Sequence, residues 1–521
     1  MPERTTQILV VSWGREGVPR VFLSASQSRS ALRGMKMALV LVVSLATLFV
    51  GVSPQCISTN DEMTPFPRPD LGHITPFSVD LFKEVLPSTG NFFFSPYSVW
   101  SALVLAYFGS GGNTQAQLEQ VLQLTNKEET LALYKSIDQI YGGVQRAVRA
   151  GGGANRMRGR RGCRRPGKAD QEGENETKRP QEKQRCRGRR MKGLRAAKTE
   201  KTKRRHPRRG NGAGARGKRM DNASYTISVA NRVYVQEGFP LRRCVRRALI
   251  KELRTVDFEE GEAAADAINR FVKGTTRGKI PQIVEPADLI SSMMVLINAV
   301  FFKGLWKVQF DPRTTRLAPF TTASGNRTQV EMMRVESEFN IGMSEELEAQ
   351  VLEMPYRGEG ASMFILLPRD RSEEALDMMV ERLTGATLKS AMRKLSSRNV
   401  TVGLPKFKLE SSIRDELKIG LTSMGIGDLF SPVAADMSTF SPSERLVLND
   451  GIHKAVIEVN EEGSEAAAAT ALVFGRSARR KPSFVCNRPF LFFILDKATS
   501  NVLFMGAYRE PHQQRALHGS V

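Results

Sequence analysis

A basic, low-complexity stretch at residues 143–219 divides the sequence into two apolar parts. It holds 28 Lys and Arg against 6 Asp and Glu, and it therefore carries nearly all of the net charge of +23 of this 521-residue chain. The stretch is rich in Gly and Arg and almost free of aromatic and β-branched residues, so burial of its side chains would not offset the entropy lost on ordering it. We predict that this basic insert is disordered, and that the flanking parts form the fold.

The N-terminal region contains a signal for secretion that begins after residue 34. Arg33 and Lys36 precede an apolar run at residues 37–50, which small residues follow. The run is shorter than the about 20 residues that a transmembrane helix needs, and it has the charged start of a signal peptide. We predict an upstream extension and signal peptide over residues 1–55, with the signal at about 35–53. The chain is then extracellular, with no membrane span.

Secretion would give meaning to three Asn-X-Ser/Thr sequences, which accept glycans. They begin at Asn222, Asn326 and Asn399. The five cysteines are an odd number and show no zinc-binding spacing, so at least one thiol is expected to be unpaired and no metal site is predicted.

The two apolar parts mix helical and strand patterns without βαβ alternation, which predicts an α+β fold with large antiparallel or mixed sheets. Helices are predicted at 76–86, 98–108, 114–124 and 263–272, with Thr114 as the N-cap of the third. Strands are predicted at 225–235, 293–302, 363–367, 400–404, 456–459, 490–495 and 502–505.

The segment at residues 461–473 is rich in alanine, which favours helix, yet it also makes sense as a strand. Alternate side chains of a strand point to opposite faces. One face would then be uncharged and mostly small, and it consists of Ser464, Ala466, Ala468, Thr470 and Leu472. Glu465 would lie on the other face. Such a segment can exist as an exposed loop and later enter a crowded sheet.

Several motifs, taken in order, resemble the serpin family. They lie at residues 91–98 (Asn-Phe-Phe-Phe-Ser-Pro-Tyr-Ser), 233–236, 278–280, 298–306 (Asn-Ala-Val-Phe-Phe-Lys-Gly-Leu-Trp), 404–407, 452–455, 461–469 and 487–492. The resemblance implies one serpin domain at 72–510, interrupted by the basic insert. It further implies a large mixed central sheet, additional antiparallel sheets, surrounding helices and an exposed reactive-centre loop at 461–485. The acidic, Ala-rich loop is similar to that of secreted arthropod serpins.

The resemblance also implies a function, which is to trap a protease rather than to catalyse a reaction. In inhibitory serpins the hinge of the loop inserts into the central sheet after a protease cleaves the loop. The hinge residues here are Glu461, Gly463, Ser464, Glu465, Ala466, Ala467, Ala468, Ala469 and Thr470. By resemblance, Ser95, Ser98, Asn298 and His453 form a polar shutter under the sheet, and Trp306 packs where the hinge first enters.

The bait bond is expected at Arg476–Ser477, in a loop that resembles that of antithrombin. Trypsin-like proteases carry a carboxylate in the specificity pocket, which a long cationic side chain matches. The usual family interval from Glu461 ends on Ser477, which would instead suit an elastase-like protease. Arg479 is a third candidate and would suit a proprotein-convertase-like enzyme.

Alternatives stay open for the insert and for the function. The insert is explained by a retained intron or gene-model artefact, by a solvated loop, or by a site for heparin-like polyanions such as glycosaminoglycans. A non-inhibitory carrier or storage serpin is the main alternative function. The chain lacks the Gly-X-Ser-X-Gly motif of one large hydrolase class, and its insert lacks aromatic residues for stacking on nucleic acid. We expect a monomer without a required cofactor.

Overall fold

The structure is a computed structural model that describes residues 11–13, 19–21, 69–151, 225–442, 446–463 and 482–511, with only the backbone over 11–13, 19–21 and 142–151. The helices are α1 (Thr75–Val85), α2 (Pro96–Gly109), α3 (Gly112–Leu122), α4 (Lys127–Gly151), α5 (Arg243–Ala248), α6 (Gly261–Thr275), α7 (Ala375–Glu381), α8 (Gly385–Arg393) and α9 (Asp415–Ser423). The strands are β1 (Val11–Trp13), β2 (Pro19–Val21), β3 (Phe92–Phe94), β4 (Tyr225–Gln236), β5 (Leu253–Val256), β6 (Met294–Gly304), β7 (Arg316–Thr321), β8 (Arg327–Ser344), β9 (Ala349–Pro355), β10 (Ala361–Pro368), β11 (Ser396–Pro405), β12 (Phe407–Ile413), β13 (Asp450–Val459), β14 (Ser483–Val485), β15 (Phe490–Asp496) and β16 (Asn501–Tyr508).

The strands of the described residues form two large sheets and one small one. The central sheet has five strands in the order β12-β13-β6-β4-β5. The second sheet has nine strands, in the order β14-β11-β8-β9-β10-β15-β16-β3 with β7 beside β8. The strands β1 and β2 pair only with each other in the described part of the chain. The predicted α+β class and large mixed central sheet are confirmed.

Helix α2 is buried on all sides, which agrees with its nearly continuous apolar sequence. It begins at Pro96, whose missing N–H costs nothing in the first turn, and the side chain of Ser95 caps it by accepting from the N–H of Ser98. The predicted cap of the next helix is wrong. Helix α3 begins at Gly112, so Thr114 lies inside its first turn and accepts the N–H of Asp436 instead.

Strand β6 runs between two hydrophobic cores. Its even-numbered residues from Met294 to Phe302 face the main core, which contains α2. Its odd-numbered residues from Val295 to Phe301 face a smaller core beside α6. Because both faces are covered, the strand reads as a continuous apolar run rather than as an alternating one.

The two ends of the basic insert meet at one buried carboxylate. The hydroxyl of Tyr141, in α4, donates to Asp496 over 2.9 Å. Tyr225, at the start of β4, also hydrogen-bonds Asp496, and burial together with this carboxylate raises the pKa of Tyr225. The backbone of α4 continues to Gly151, past residue 143 where we predicted disorder to begin. Apolar residues spaced for a helix, at Val144 and Val148, account for that extension. The rest of the insert lies outside the described residues.

Candidate functional site

The centre of the five-stranded sheet is a seam between two parallel strands. Strands β6 and β13 pair over seven positions, from Val295 opposite Asp450 to Phe301 opposite Val456. The pairing ends there, although both strands continue for three more residues towards their C-terminal ends, which we call the upper end of the seam. The seam is therefore already parted at its upper end, and parallel pairing is slightly weaker per residue than antiparallel pairing.

The first residues of the predicted hinge are attached to the upper end of β6. Gly463 forms an antiparallel bridge with Leu305. The carbonyl of Glu462 accepts the N–H of Trp306 over 2.9 Å, and the carbonyl of Glu461 accepts the N–H of Phe310 over 2.8 Å. These contacts place the start of the hinge directly above the parted seam.

Glu461 holds this attachment through its side chain. Its carboxylate accepts a hydrogen bond from Thr315 over 2.9 Å and lies 3.4 Å from the ammonium of Lys406. Burial alone would raise the pKa of Glu461, but its own backbone N–H, Thr315 and Lys406 stabilise the charged form and lower the pKa below its usual value. The carboxylate thus joins β13 to the segment before β7 and to the segment before β12.

Trp306 lies shortly after the end of β6, beside the first residues of the predicted hinge. Its indole N–H donates to the carbonyl of Asn460 over 3.0 Å. Its ring stacks on Tyr356 with the centroids 4.6 Å apart. The indole is fully buried and fixes the turn that leads into the hinge.

Gly463 has a backbone conformation and a surrounding space that suit glycine alone. Its φ of 138° lies in a region that side chains with a Cβ rarely adopt. A Cβ there would stand 2.1 Å from the carbonyl oxygen of Gly304 and 2.6 Å from the Cα of Leu305. The close approach of the hinge to β6 depends on this missing side chain.

The four predicted shutter residues come together under the seam. The N–H of Ser95 donates to Nε2 of His453 over 3.2 Å, and its hydroxyl donates to the carbonyl of Leu503 over 2.6 Å. The hydroxyl of Ser98 donates to Oδ1 of Asn298 over 2.7 Å, and Asn298 Nδ2 donates to the carbonyl of Ser98 over 2.8 Å. Nδ1 of His453 also hydrogen-bonds Oδ1 of Asn298.

These bonds determine the protonation of His453. Because Nε2 accepts the N–H of Ser95, the ring proton is on Nδ1, which donates to Asn298. The ring is fully buried, and this desolvation lowers the pKa of His453 to about 3. His453 and Asn298 lie opposite each other across the parallel seam, so the neutral imidazole is a direct link between β13 and β6.

One member of the cluster was missed in the sequence. Asn231, on β4, accepts a hydrogen bond from Asn298 and donates to the hydroxyl of Ser101 over 3.1 Å. It extends the polar cluster across three strands of the central sheet. A polar residue inside an otherwise alternating apolar strand was the available signal.

Several predicted site residues lie outside the described part of the chain. They are Ser464, Glu465, Ala466, Ala467, Ala468, Ala469, Thr470, Arg476, Ser477, Arg479 and Asn222. Of the other glycan acceptors, Asn326 is exposed in the turn between β7 and β8, and Asn399 is exposed on β11. Their use remains a prediction.

Three further observations on the described residues concern disulfides, metal ions and membrane-spanning helices. Cys486 is buried with a free thiol, so it does not pair with Cys244. Among the residues with described positions, no group of three or more His, Cys, Asp or Glu could hold a metal ion. A helix long and apolar enough to cross a membrane is likewise not found in those residues.

Comparison with known families gives one broad match. The family described as Serpin (serine protease inhibitor) matches residues 73–150 and 191–511. The unmatched residues 151–190 fall within the predicted insert, whereas residues 191–219, which we also placed in the insert, are matched.

The chain matches several curated proteins over nearly the whole of their length. Plasminogen activator inhibitor 2 of Homo sapiens is 32% identical over 451 residues, which is 84% of this chain and 98% of that protein. Leukocyte elastase inhibitor A of Rattus norvegicus is 31% identical over 449 residues, 84% of this chain and 97% of that protein. Iris of Ixodes ricinus is 31% identical over 452 residues, 84% of this chain and 98% of Iris.

Solved structures show the same architecture. Serpin48 of the insect Tenebrio molitor matches with a TM-score of 0.60 and 26% identity, over 84% of this chain and 96% of its own. Native protease nexin-1 with heparin matches with a TM-score of 0.62 and 26% identity, over 84% of this chain and 98% of its own.

Proposed function

The chain belongs to the serpin family of serine protease inhibitors, and we propose that it is a secreted inhibitor of trypsin-like proteases that acts by inserting its cleaved loop into the central sheet. The observation that carries this proposal is the antiparallel bridge between Gly463 and Leu305. It starts the hinge at the parted end of the seam and in the direction that an inserted strand would take.

The bridge determines the pairing of an inserted loop. If the hinge continues along β6 from Gly463 opposite Leu305, each following hinge residue pairs with the preceding residue of β6. The even-numbered pairs are Ser464–Gly304, Ala466–Phe302, Ala468–Val300, Thr470–Asn298, Leu472–Leu296 and Phe474–Met294. The inserted strand would convert one parallel pair into two antiparallel ones, which favours insertion.

The pairing also fits the chemistry of the two faces. Side chains directly opposite in neighbouring strands share a face, so the even-numbered hinge residues would point into the main core with the even-numbered residues of β6. That face of the hinge has no charge, which a buried position requires. On the other face, Glu465 would stand opposite Lys303, a pair of opposite charges.

The inserted strand is long enough to reach the foot of the sheet. Phe474 would pair with Met294, the first residue of β6, so Gly475 and Arg476 would extend beyond the strand. A protease bound to Arg476 could then stay attached without entering the sheet. This length supports Arg476 as the bait residue over a residue nearer to the hinge.

The trapping chemistry uses the protease's own nucleophile. Its serine hydroxyl attacks the carbonyl carbon of Arg476, the C–N bond to Ser477 breaks, and the amine of Ser477 leaves with a proton. An ester between the protease and Arg476 remains, which water would normally hydrolyse. Insertion of residues 464–474 before that hydrolysis moves the ester to the opposite end of the sheet.

Inhibition with trypsin tests this function, with two matched variants. The unmodified chain should form a complex that survives SDS and heat and should release a peptide that begins at Ser477. Arg476→Ala should lose complex formation with trypsin, whereas Ser477→Ala should keep it. Cleavage of the unmodified chain without a complex would refute the inhibitory function and support a non-inhibitory serpin. A released peptide that begins after Ser477 or Arg479 would instead move the bait bond.

Secretion is supported by the apolar run at residues 37–50 and by the exposed positions of Asn326 and Asn399. Expression in insect cells should deliver the chain to the medium with glycans that peptide-N-glycosidase removes. Retention inside the cells without glycans would refute secretion.

Modulation by a heparin-like polyanion is the second candidate, and the charge of the insert favours it. The similarity to protease nexin-1, solved with heparin, supports testing heparin itself. Binding to heparin should weaken steeply with salt, because each displaced counterion contributes to the dependence. Deletion of residues 152–219 should weaken binding, whereas unchanged affinity would exclude these residues of the insert as the site.

A further inference from the structure

The foot of the seam, where β6 and β13 both begin, is closed by hydrogen bonds. Oδ1 of Asn449 accepts the N–H of Met293 over 2.7 Å and that of Met294 over 3.3 Å. The N–H of Asn449 donates to the carbonyl of Met294 over 2.9 Å. The foot is thus held tightly, in contrast to the parted upper end.

Arg414 adds an ionic connection at the same place. Its Nη1 donates to Oδ1 of Asp288 over 2.6 Å, and its Nη2 donates to Oδ2 of Asp450 over 2.7 Å. Nη2 also lies 3.2 Å from the backbone carbonyl of Asp288. The side chains of Arg414 and Asp288 are each 33% exposed and that of Asp450 is 16% exposed, so the ion pairs are partly shielded from water.

The two carboxylates belong to different sides of the seam. Asp450 is the first residue of β13, and Arg414 directly follows Ile413, which pairs with His453 of that strand. Asp288 precedes β6 and ends a short turn at Pro286–Asp288, which packs against α6, and α6 in turn packs against β4. The Arg414–Asp450 pair therefore lies within one side, whereas the Arg414–Asp288 pair crosses from one side to the other.

We propose that the Arg414–Asp288 ion pair is a tie across the foot of the seam that must break for the loop to insert fully, so that Arg414 positions the sheet in its closed form and slows insertion. This inference rests on the proposed function. An inserted strand that reaches Met294 separates β6 from β13 by one further strand spacing, about 4.8 Å. That displacement takes Asp288 out of reach of Arg414 and leaves Asp450 beside it.

The test compares Asp288→Asn with Asp450→Asn, each of which removes one of the two carboxylates that pair with the guanidinium of Arg414. The asparagine at position 288 retains an oxygen that can accept the N–H of Glu285, a bond of 2.8 Å that supports the local turn. Melting temperatures are measured for each protein before and after loop cleavage. The rate of spontaneous loss of trypsin inhibition is measured at a fixed elevated temperature, with insertion monitored by resistance to urea.

Asp288→Asn should lower the melting temperature of the uncleaved protein but not that of the cleaved one, and should speed spontaneous insertion by roughly fivefold, the effect of about 1 kcal/mol. Asp450→Asn should lower the melting temperature of both forms. A double-mutant cycle of Asp288→Asn with Arg414→Gln should show coupling in the uncleaved form that disappears after cleavage.

Equal losses of melting temperature in both forms of Asp288→Asn, or an unchanged insertion rate, would overturn the tie while leaving the trapping mechanism intact. Failure of the mechanism itself has a different signature. In that case the melting temperature of the unmodified protein would not rise on cleavage, and the tie would be overturned together with the mechanism.

Discussion

The buried imidazole of His453 makes the stability of the native fold depend on pH in a window that can be worked out in advance. Its pKa is about 3 in the fold and about 6.5 in the unfolded chain, where water surrounds it. The unfolded chain therefore binds a proton at a higher pH than the native chain does. Above pH 6.5 this difference has no effect, and below it native stability falls until the pH approaches 3.

The size of the loss follows from the two pKa values. By pH 4.5 the unfolded chain is almost fully protonated at this site and the native chain is not, which corresponds to about 2.7 kcal/mol relative to pH 7.5. Protonation in the fold would add a proton at Nε2, which would then face the N–H of Ser95 as a second donor, and the hydrogen bond from Ser95 would be lost. Replacement with a neutral side chain, His453→Gln, should remove the pH dependence that belongs to this residue.

Urea unfolding at pH 7.5, 6.5, 5.5 and 4.5 measures the effect. The free energy of unfolding of the unmodified protein minus that of His453→Gln cancels the titration of the other groups. This difference should fall by about 1.4 kcal/mol between pH 7.5 and 5.5 and by about 2.7 kcal/mol between pH 7.5 and 4.5. A difference that stays constant over this range would refute the neutral, buried imidazole.

One further substitution and one labelling reaction test separate parts of the structure. Gly463→Ala should destabilise the uncleaved protein by at least about 2 kcal/mol in urea unfolding, because of its positive φ and the approach of the new Cβ to the carbonyl oxygen of Gly304; equal stability of the uncleaved variant would contradict it. The thiol of Cys486 is fully buried and its pKa is raised, so iodoacetamide should label it only after unfolding, as followed by mass spectrometry; rapid labelling of the folded protein would show that the site is open.

The elements that the sequence predicted best are those with continuous apolar patterns. Helix α2 and strand β6 are buried on both sides, and their boundaries were predicted to within two residues. Strand β8 was missed because its 18 residues alternate between buried and exposed only in part and include several charges. Its length comes from pairing with β7, β11 and β9 in succession, which local sequence does not show.

Four residues of the polar cluster were predictable from the sequence, but Asn231 and the geometry of the cluster were not. The motifs that resemble serpins led to Ser95, Ser98, Asn298 and His453 as one cluster. Nothing in the sequence indicates that Asn298 and His453 face each other across a parallel pair, because 155 residues separate them. The attachment of Glu461 to Thr315 depends likewise on how distant strands pack.

The meeting of Tyr141 and Tyr225 at Asp496 has a consequence for protein engineering. Tyr141 and Tyr225 flank the intervening 142–224 segment, and both hydrogen-bond the same carboxylate, so the two attachment points of this segment lie close together in the fold. Closing a flexible connection costs only about 0.6 kcal/mol for each doubling of its length. The junction is therefore a suitable position for inserting a whole foreign domain in place of the basic sequence, because both attachment points already lie together at Asp496.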